Sequence, residues 1–155
     1  MDQLYLTFSI FLLRVAMGLR LLFPAWKMIM EGPVPMRKYL LGVKGPFATF
    51  FHTIAGKKWM IYLNAWLLLI SGFSLVFGIF VRPAALIAGV LVIFYWLSKF
   101  PHKEGFINEH VIYIAVLFLL GMLNAGIWWG FDFLFLQFPQ ILQFYQTNPW
   151  ASWLL

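Results

Sequence analysis

From Trp59 to Val81 the chain carries no charged side chain. About 20 apolar residues in a helix cross ~30 Å of hydrocarbon, so this run is long enough to span a membrane. Arg82-Pro83 then reads as a tight turn, and a second uncharged run extends from Pro83 to Ser98, framed by Arg82 and Lys99. It is slightly short for a span, and snorkelling of the two cations makes up the difference. A third run, Val111 to Phe131, is entered through Glu109 and His110 and followed by Asp132. Ahead of all three, Leu4 to Met30 is apolar except for Arg14, Arg20 and Lys27. Pro24 lacks a backbone donor and is expected to kink or end this first helix.

The expected fold is therefore an all-α integral membrane protein, a single-domain bundle of four transmembrane helices at about residues 4–30, 59–81, 83–99 and 109–131. Composition agrees. Of 155 residues, 63% are hydrophobic and 10% charged, against about 25% charged in soluble domains. Mean hydropathy is +0.87. A core of this size cannot hide so much apolar surface, so lipid or partner subunits must cover the rest. A cleavable signal has a basic start and a small-residue cleavage site; here Asp2 leads and two arginines interrupt the apolar stretch, which predicts a retained first helix.

Glu31 to Lys58 is expected to be one long basic loop, punctuated by Pro33, Pro35, Gly42, Gly45, Pro46 and Gly56. Within it, Phe47 to Ile54 places Phe47, Phe50, Phe51 and Ile54 at i, i+3, i+4 and i+7, the pattern of an amphipathic helix lying in the membrane interface. The aromatic tail, Phe133 to Leu155, is broken by Pro139 and Pro149 and is expected on the membrane surface or on a partner, with a fifth span as the minor alternative.

The net charge is +6. The cations cluster at the ends of apolar runs, which the positive-inside rule explains better than nucleic-acid binding. Four spans collect Lys27, Arg37, Lys38, Lys44, Lys57, Lys58, Lys99 and Lys103 on one side, against Arg82 near the opposite boundary. The basic loops are expected to be cytoplasmic and the termini external, with Trp59, Trp96, Trp128 and Trp129 near span ends. Ser74/Gly78, Ala85/Gly89 and Gly126/Gly130 are small-xxx-small pairs of the kind that let helices approach closely.

Arg14 lies about ten residues into the first helix, hence roughly 15 Å deep at 1.5 Å per residue. A charge at that depth must face the bundle interior and be paired. Asp132 is its expected partner in a structural ion pair, with Arg82 competing; the alternative is an anion or quinone-oxygen donor. Arg20 and Lys27 share a face, and Asn64 has a depth comparable to Arg20. Glu109, His110 and Tyr113 bring polar tips to one face of the fourth helix. His and Tyr can donate to quinone carbonyls, and Glu or His can carry protons. The competing reading is helix capping, with Asn108 as cap and Glu109 offsetting the positive helix end. The candidate quinone- or anion-binding residues are thus Arg14, Arg20, Asn64, Glu109, His110 and Tyr113.

There are no cysteines, which removes thiolate chemistry. His52, His102 and His110 lack ligand spacing, so no metal or haem site is expected. No dinucleotide fingerprint, phosphate loop or Ser–His–Asp arrangement is present, and no flavin is expected.

Three stretches carry a family resemblance: Phe11-Leu-Leu-Arg-Val-Ala-Met-Gly18 followed by Lys27; Ser71-Gly-Phe-Ser-Leu-Val-Phe-Gly-Ile-Phe-Val-Arg-Pro83; and Asn124-Ala-Gly-Ile-Trp-Trp-Gly-Phe-Asp132. Over roughly residues 9 to 135 the chain resembles the DoxX/DoxD family of four-helix membrane proteins, and the Glu109-His110 entry resembles the DoxD type. Pro24 departs from the glycine often found there, and the basic loop is long. The resemblance implies a membrane subunit of a quinone-linked oxidoreductase in a prokaryotic cell membrane. Thiosulfate:quinone oxidoreductase is the example, working beside a DoxA-like subunit, in a larger enzyme complex or as a homo-oligomer. The other readings are a non-catalytic accessory subunit and, least favoured, a small transporter or channel.

Overall fold

The computed structural model describes residues 2–100 and 107–148. All secondary structure among them is helical: α1 (Asp2–Glu31), α2 (Pro33–Leu41), α3 (Ala48–Ala55), α4 (Lys58–Phe77), α5 (Val81–Ser98), α6 (Glu109–Met122), α7 (Phe131–Phe135) and α8 (Pro139–Thr147). Three of these, α1, α4 and α5, are long and apolar enough to cross a membrane; α6 is apolar but shorter, at 14 residues.

The bundle is built in sequence order, α1 against α4, α4 against α5, and α5 against α6. The α1–α4 crossing is set by Gly18 and Gly72. A Cβ on Gly18 would stand 2.9 Å from Gly72 O, and one on Gly72 would stand 3.0 Å from Gly18 O. Neither glycine belongs to the small-residue pairs expected from the sequence. Members of those pairs do make close approaches elsewhere: a Cβ on Gly121 of α6 would meet Ala85 of α5 at 3.7 Å, and a Cβ on Gly130 would stand 3.0 Å from Gly78 Cα, where the connections after α4 and α6 meet. Met17, Leu21, Leu68, Leu75, Ala88 and Leu120 belong to the shared core. The outward faces stay apolar: Ile70 is 56% and Phe118 69% exposed, the pattern of surfaces meant for lipid or a partner.

The residues expected to be one loop fold into α2 and α3, and α2 is a correction to that reading. Pro33 and Pro35 stand in its first turn, where a missing N–H costs nothing, so they start a helix rather than prevent one. Phe51 and Ala55 of α3 pack with Leu40, Val43 and Ile61, capping the α4–α5 end of the bundle. The expected α3 stripe is divided, because Phe47 and Phe50 stay exposed and reach outward to Phe100 and Phe94. Of the kink or end expected at Pro24, the end does not occur: α1 runs on to Glu31.

The span boundaries shift for identifiable reasons. α4 stops at Phe77 because Gly78 adopts φ 70, and Ile79 N–H closes the end on Ser74 O at 2.9 Å. α5 begins at Val81, with Pro83 in its first turn. α6 ends at Met122, well before the expected Phe131; residues 123–130 form turns in which Asn124 and Trp129 take φ 49 and 54. The tail forms α7 and α8, with Pro139 opening α8. Its last residues, 149–155, with Pro149, lie outside the described ones, as do His102 and Lys103.

Register places Arg14 differently from the sequence count. Gly18 lies against Val76, and Asn64 donates to Met28 Sδ at 3.9 Å, so α1 and α4 run antiparallel with Arg14 level with Gly78. The first turns of α1 therefore project beyond α4 by roughly 15 Å. Arg14 sits at the rim of the α4–α5 hairpin rather than midway through it.

Candidate functional site

Two polar centres form, on different levels of α1. At the upper one, Arg14 is fully buried. Its Nη1 donates to Ala125 O at 2.7 Å and Trp128 O at 3.3 Å, and its Nη2 to Trp129 O at 3.2 Å. These carbonyls belong to the turns that follow α6, and they point inward because the helix has ended. Asp132, also fully buried, accepts from Phe80 N–H at 2.8 Å and Val81 N–H at 3.3 Å, covering the exposed start of α5. Burial pushes its carboxyl above the ordinary value, while the two N–H groups and the nearby Arg14 charge pull it down.

The expected Arg14–Asp132 ion pair is thus corrected. The two are near enough for attraction, but no ion pair within 4 Å joins them, and none joins Arg82 to Asp132. The backbone supplies closer partners for both. Glycines make the room: a Cβ on Gly78 or Gly130 would collide with Arg14 Nη1, and one on Gly126 with Asp132. Phe8 and Phe11 pack against Trp129 and close the centre from the α1 side. Through Nη1 and Nη2, Arg14 is a structural clasp on three carbonyls, while its buried Nε has no hydrogen-bond partner among the described residues.

The lower centre joins α1, α5 and α6. Arg20 Nε donates to Tyr113 OH at 2.8 Å, and its guanidinium lies 5.3 Å from the Tyr113 ring centre. Arg20 Nη2 and Tyr113 OH both reach Glu109 Oε2 at 3.4 Å, and Lys99 Nζ reaches Oε1 at 3.3 Å. His110 Nδ1 lies 3.8 Å from Glu109 Oε1. Arg20 and Glu109 side chains are half exposed, at 51% and 49%, so the cluster opens to the surface where α5 ends and α6 begins. Asn108 caps α6 as expected, accepting from His110 N–H at 3.0 Å. Capping and clustering coexist, since the cap uses Asn108 while Glu109 turns toward Arg20 and Lys99.

No family model, curated protein or solved structure matches this chain.

Of the residues singled out from sequence, Arg20, Glu109, His110 and Tyr113 come together. Asn64 does not join them; its Nδ2 donates to Tyr95 OH at 2.5 Å, beneath the α2–α3 cap. There Ser98 Oγ bonds Tyr95 O and pairs with Tyr39 OH at 2.6 Å. Lys99 is the cluster member that sequence reasoning missed, because its position at a span end already accounted for it as a snorkelling cation. His52 bonds Val43 O. Among the described residues no group of His, Asp and Glu is placed to hold a metal ion.

Proposed function

We propose that the chain is a four-span membrane subunit of a quinone-linked oxidoreductase of the DoxX/DoxD kind, and that the Arg20–Tyr113–Glu109 cluster receives the quinone head group. α6 is read as the fourth span, with the turns at 123–130 completing its passage and the basic α2–α3 side cytoplasmic. The observation that carries the reading is the convergence of five polar side chains from α1, the C-cap of α5 and the first turns of α6, beside otherwise apolar helices. A quinone diffusing in the bilayer approaches a protein along such helices. Ionisable side chains that gather on one another beside apolar spans, instead of standing singly at the span ends, are functional candidates.

The residues suit the group. Quinone carbonyls need donors, and Arg20, Lys99 and Tyr113 supply N–H and O–H groups within one cluster. A bound quinone accepts two electrons and two protons. Glu109 and His110 are placed to hold or pass those protons, and Arg20 and Lys99 keep Glu109 oriented. The donor proposed from the resemblance is thiosulfate, two of which lose two electrons to form tetrathionate at a partner subunit.

The test is gentle purification followed by extraction of bound lipophiles. Quinone is expected near stoichiometry in the wild type. Removing two donors that include a charged one in Arg20→Gln/Tyr113→Phe should lower it by about tenfold or more. Absence of quinone, or its retention by the double variant, overturns the reading.

The second reading is a non-catalytic accessory subunit. It is favoured by the upper end, where projecting α1 residues Leu4, Tyr5 and Leu6 and tail residues Phe133 and Phe138 are exposed apolar side chains. Stoichiometric co-purification with an enzyme complex whose activity tolerates the double variant supports it.

A further inference from the structure

An apolar groove of about 580 Å³ runs between the outer faces of α5 and α6, lined by Leu86, Gly89, Val90, Ile114 and Phe118, with Arg82 at its upper end. From Arg82 to Ile93 the α5 side of the groove covers about 16 Å. Its floor is deep at Gly89, where a Cβ would meet no atom within 4 Å. Arg82 is half-buried, and among the described residues no carboxylate lies within 4 Å of it. The nearby Asp132 has turned both oxygens onto the Phe80 and Val81 N–H groups. At the opposite end of α5, Lys99 is engaged by Glu109.

We propose that this groove binds an anionic phospholipid, with one acyl chain along the α5–α6 seam and the phosphate on Arg82. The lining suits an acyl chain: apart from Arg82 it is apolar, and it extends about 16 Å along α5. The charge is complementary, because a guanidinium fork without a protein carboxylate binds phosphate oxygens in pairs. Its height is also right, since Arg82 stands in the first turn of an apolar helix long enough to span, where headgroups lie. The inference rests on the membrane placement of α5 and is independent of quinone binding.

The test is native mass spectrometry of the full chain in mild detergent, titrated with phosphatidylglycerol or phosphatidylcholine. One cation near a headgroup supports about a fivefold preference for the anionic lipid. Arg82→Gln should abolish that preference while leaving weak binding of both lipids. Gly89→Phe should remove both, and because the groove is open at Gly89 the variant should keep the wild-type melting temperature. Equal binding of the two lipids by wild type, a preference retained by Arg82→Gln, or lipid retained by a folded Gly89→Phe overturns the proposal. So does a Gly89→Phe variant that changes from dimer to monomer with lipid binding intact, which assigns the groove to a second copy.

Discussion

Arg14 and Asp132 are both fully buried at the α4–α5 turn, and each is held by backbone groups rather than by the other. Arg14 ties α1 to the turns after α6 through three carbonyls. Asp132 ties α7 to the start of α5 through two amides. Their charges attract across this shell without a direct bond, so the pair fastens four segments of chain where a simple ion pair would fasten two.

Replacing Arg14 by Leu is expected to destabilise the protein by about 3 kcal/mol or more, since buried carbonyls lose their donor and Asp132 loses its nearest cation. Arg14→Lys should recover only part, because an ammonium lacks the planar fork that serves Ala125 and Trp129 together. Thermal unfolding in detergent measures both. Wild-type melting of Arg14→Leu would mean that the 123–130 turns support themselves.

The glycines should divide sharply. Gly126→Ala drives a methyl into the Asp132 carboxylate, and Gly78→Ala adds a strained positive φ to a collision with Arg14. Both should unfold well below the wild type. Gly89→Ala meets open space in mid-helix and should stabilise by up to about 1 kcal/mol. Equal effects at all three positions would contradict the packing described.

Gly18→Val is expected to force α1 away from α4, because its side chain would meet a Val76 methyl and, close behind it, the Gly72 carbonyl and the Val76 backbone, which cannot swing aside. A cysteine pair introduced at exposed positions on the two helices reports the separation through cross-linking yield. An unchanged yield would place the crossing elsewhere.

Glu109→Gln should change stability by less than about 1 kcal/mol, as exposed ion pairs contribute little. Quinone content should fall in the same sample if the lower cluster is a binding site. A large loss of stability in Glu109→Gln would instead make the cluster a structural brace between α1 and α6.

Much of the architecture is legible in the chain. Apolar runs bounded by cations mark α4 and α5, a long apolar stretch interrupted by Arg14, Arg20 and Lys27 marks α1, and the spacing of Phe51 and Ile54 marks α3. The prolines mislead when read only as breakers: Pro33, Pro35 and Pro139 open helices, and Pro24 sits within one. The clustering of Glu109, His110 and Tyr113 follows from helical spacing on one segment, which is local information. Arg20 joining them, and Asn64 going instead to Tyr95, depend on the rotation of α1 and α4 about their axes.

The sequence by itself determined that long apolar helices form and that Arg14 must find partners, because desolvating a guanidinium is costly wherever the helix lies. Only the tertiary structure decided who those partners are. Whether α6 runs on to Phe131 or ends at Met122 is a contest between intrahelical hydrogen bonds and carbonyls turned onto a buried cation. That cation arrives from a helix more than a hundred residues earlier in the chain. No local pattern around Asn124 or Trp129 records its presence, so the end of α6, the Arg14 clasp and the register of α1 had to be settled together.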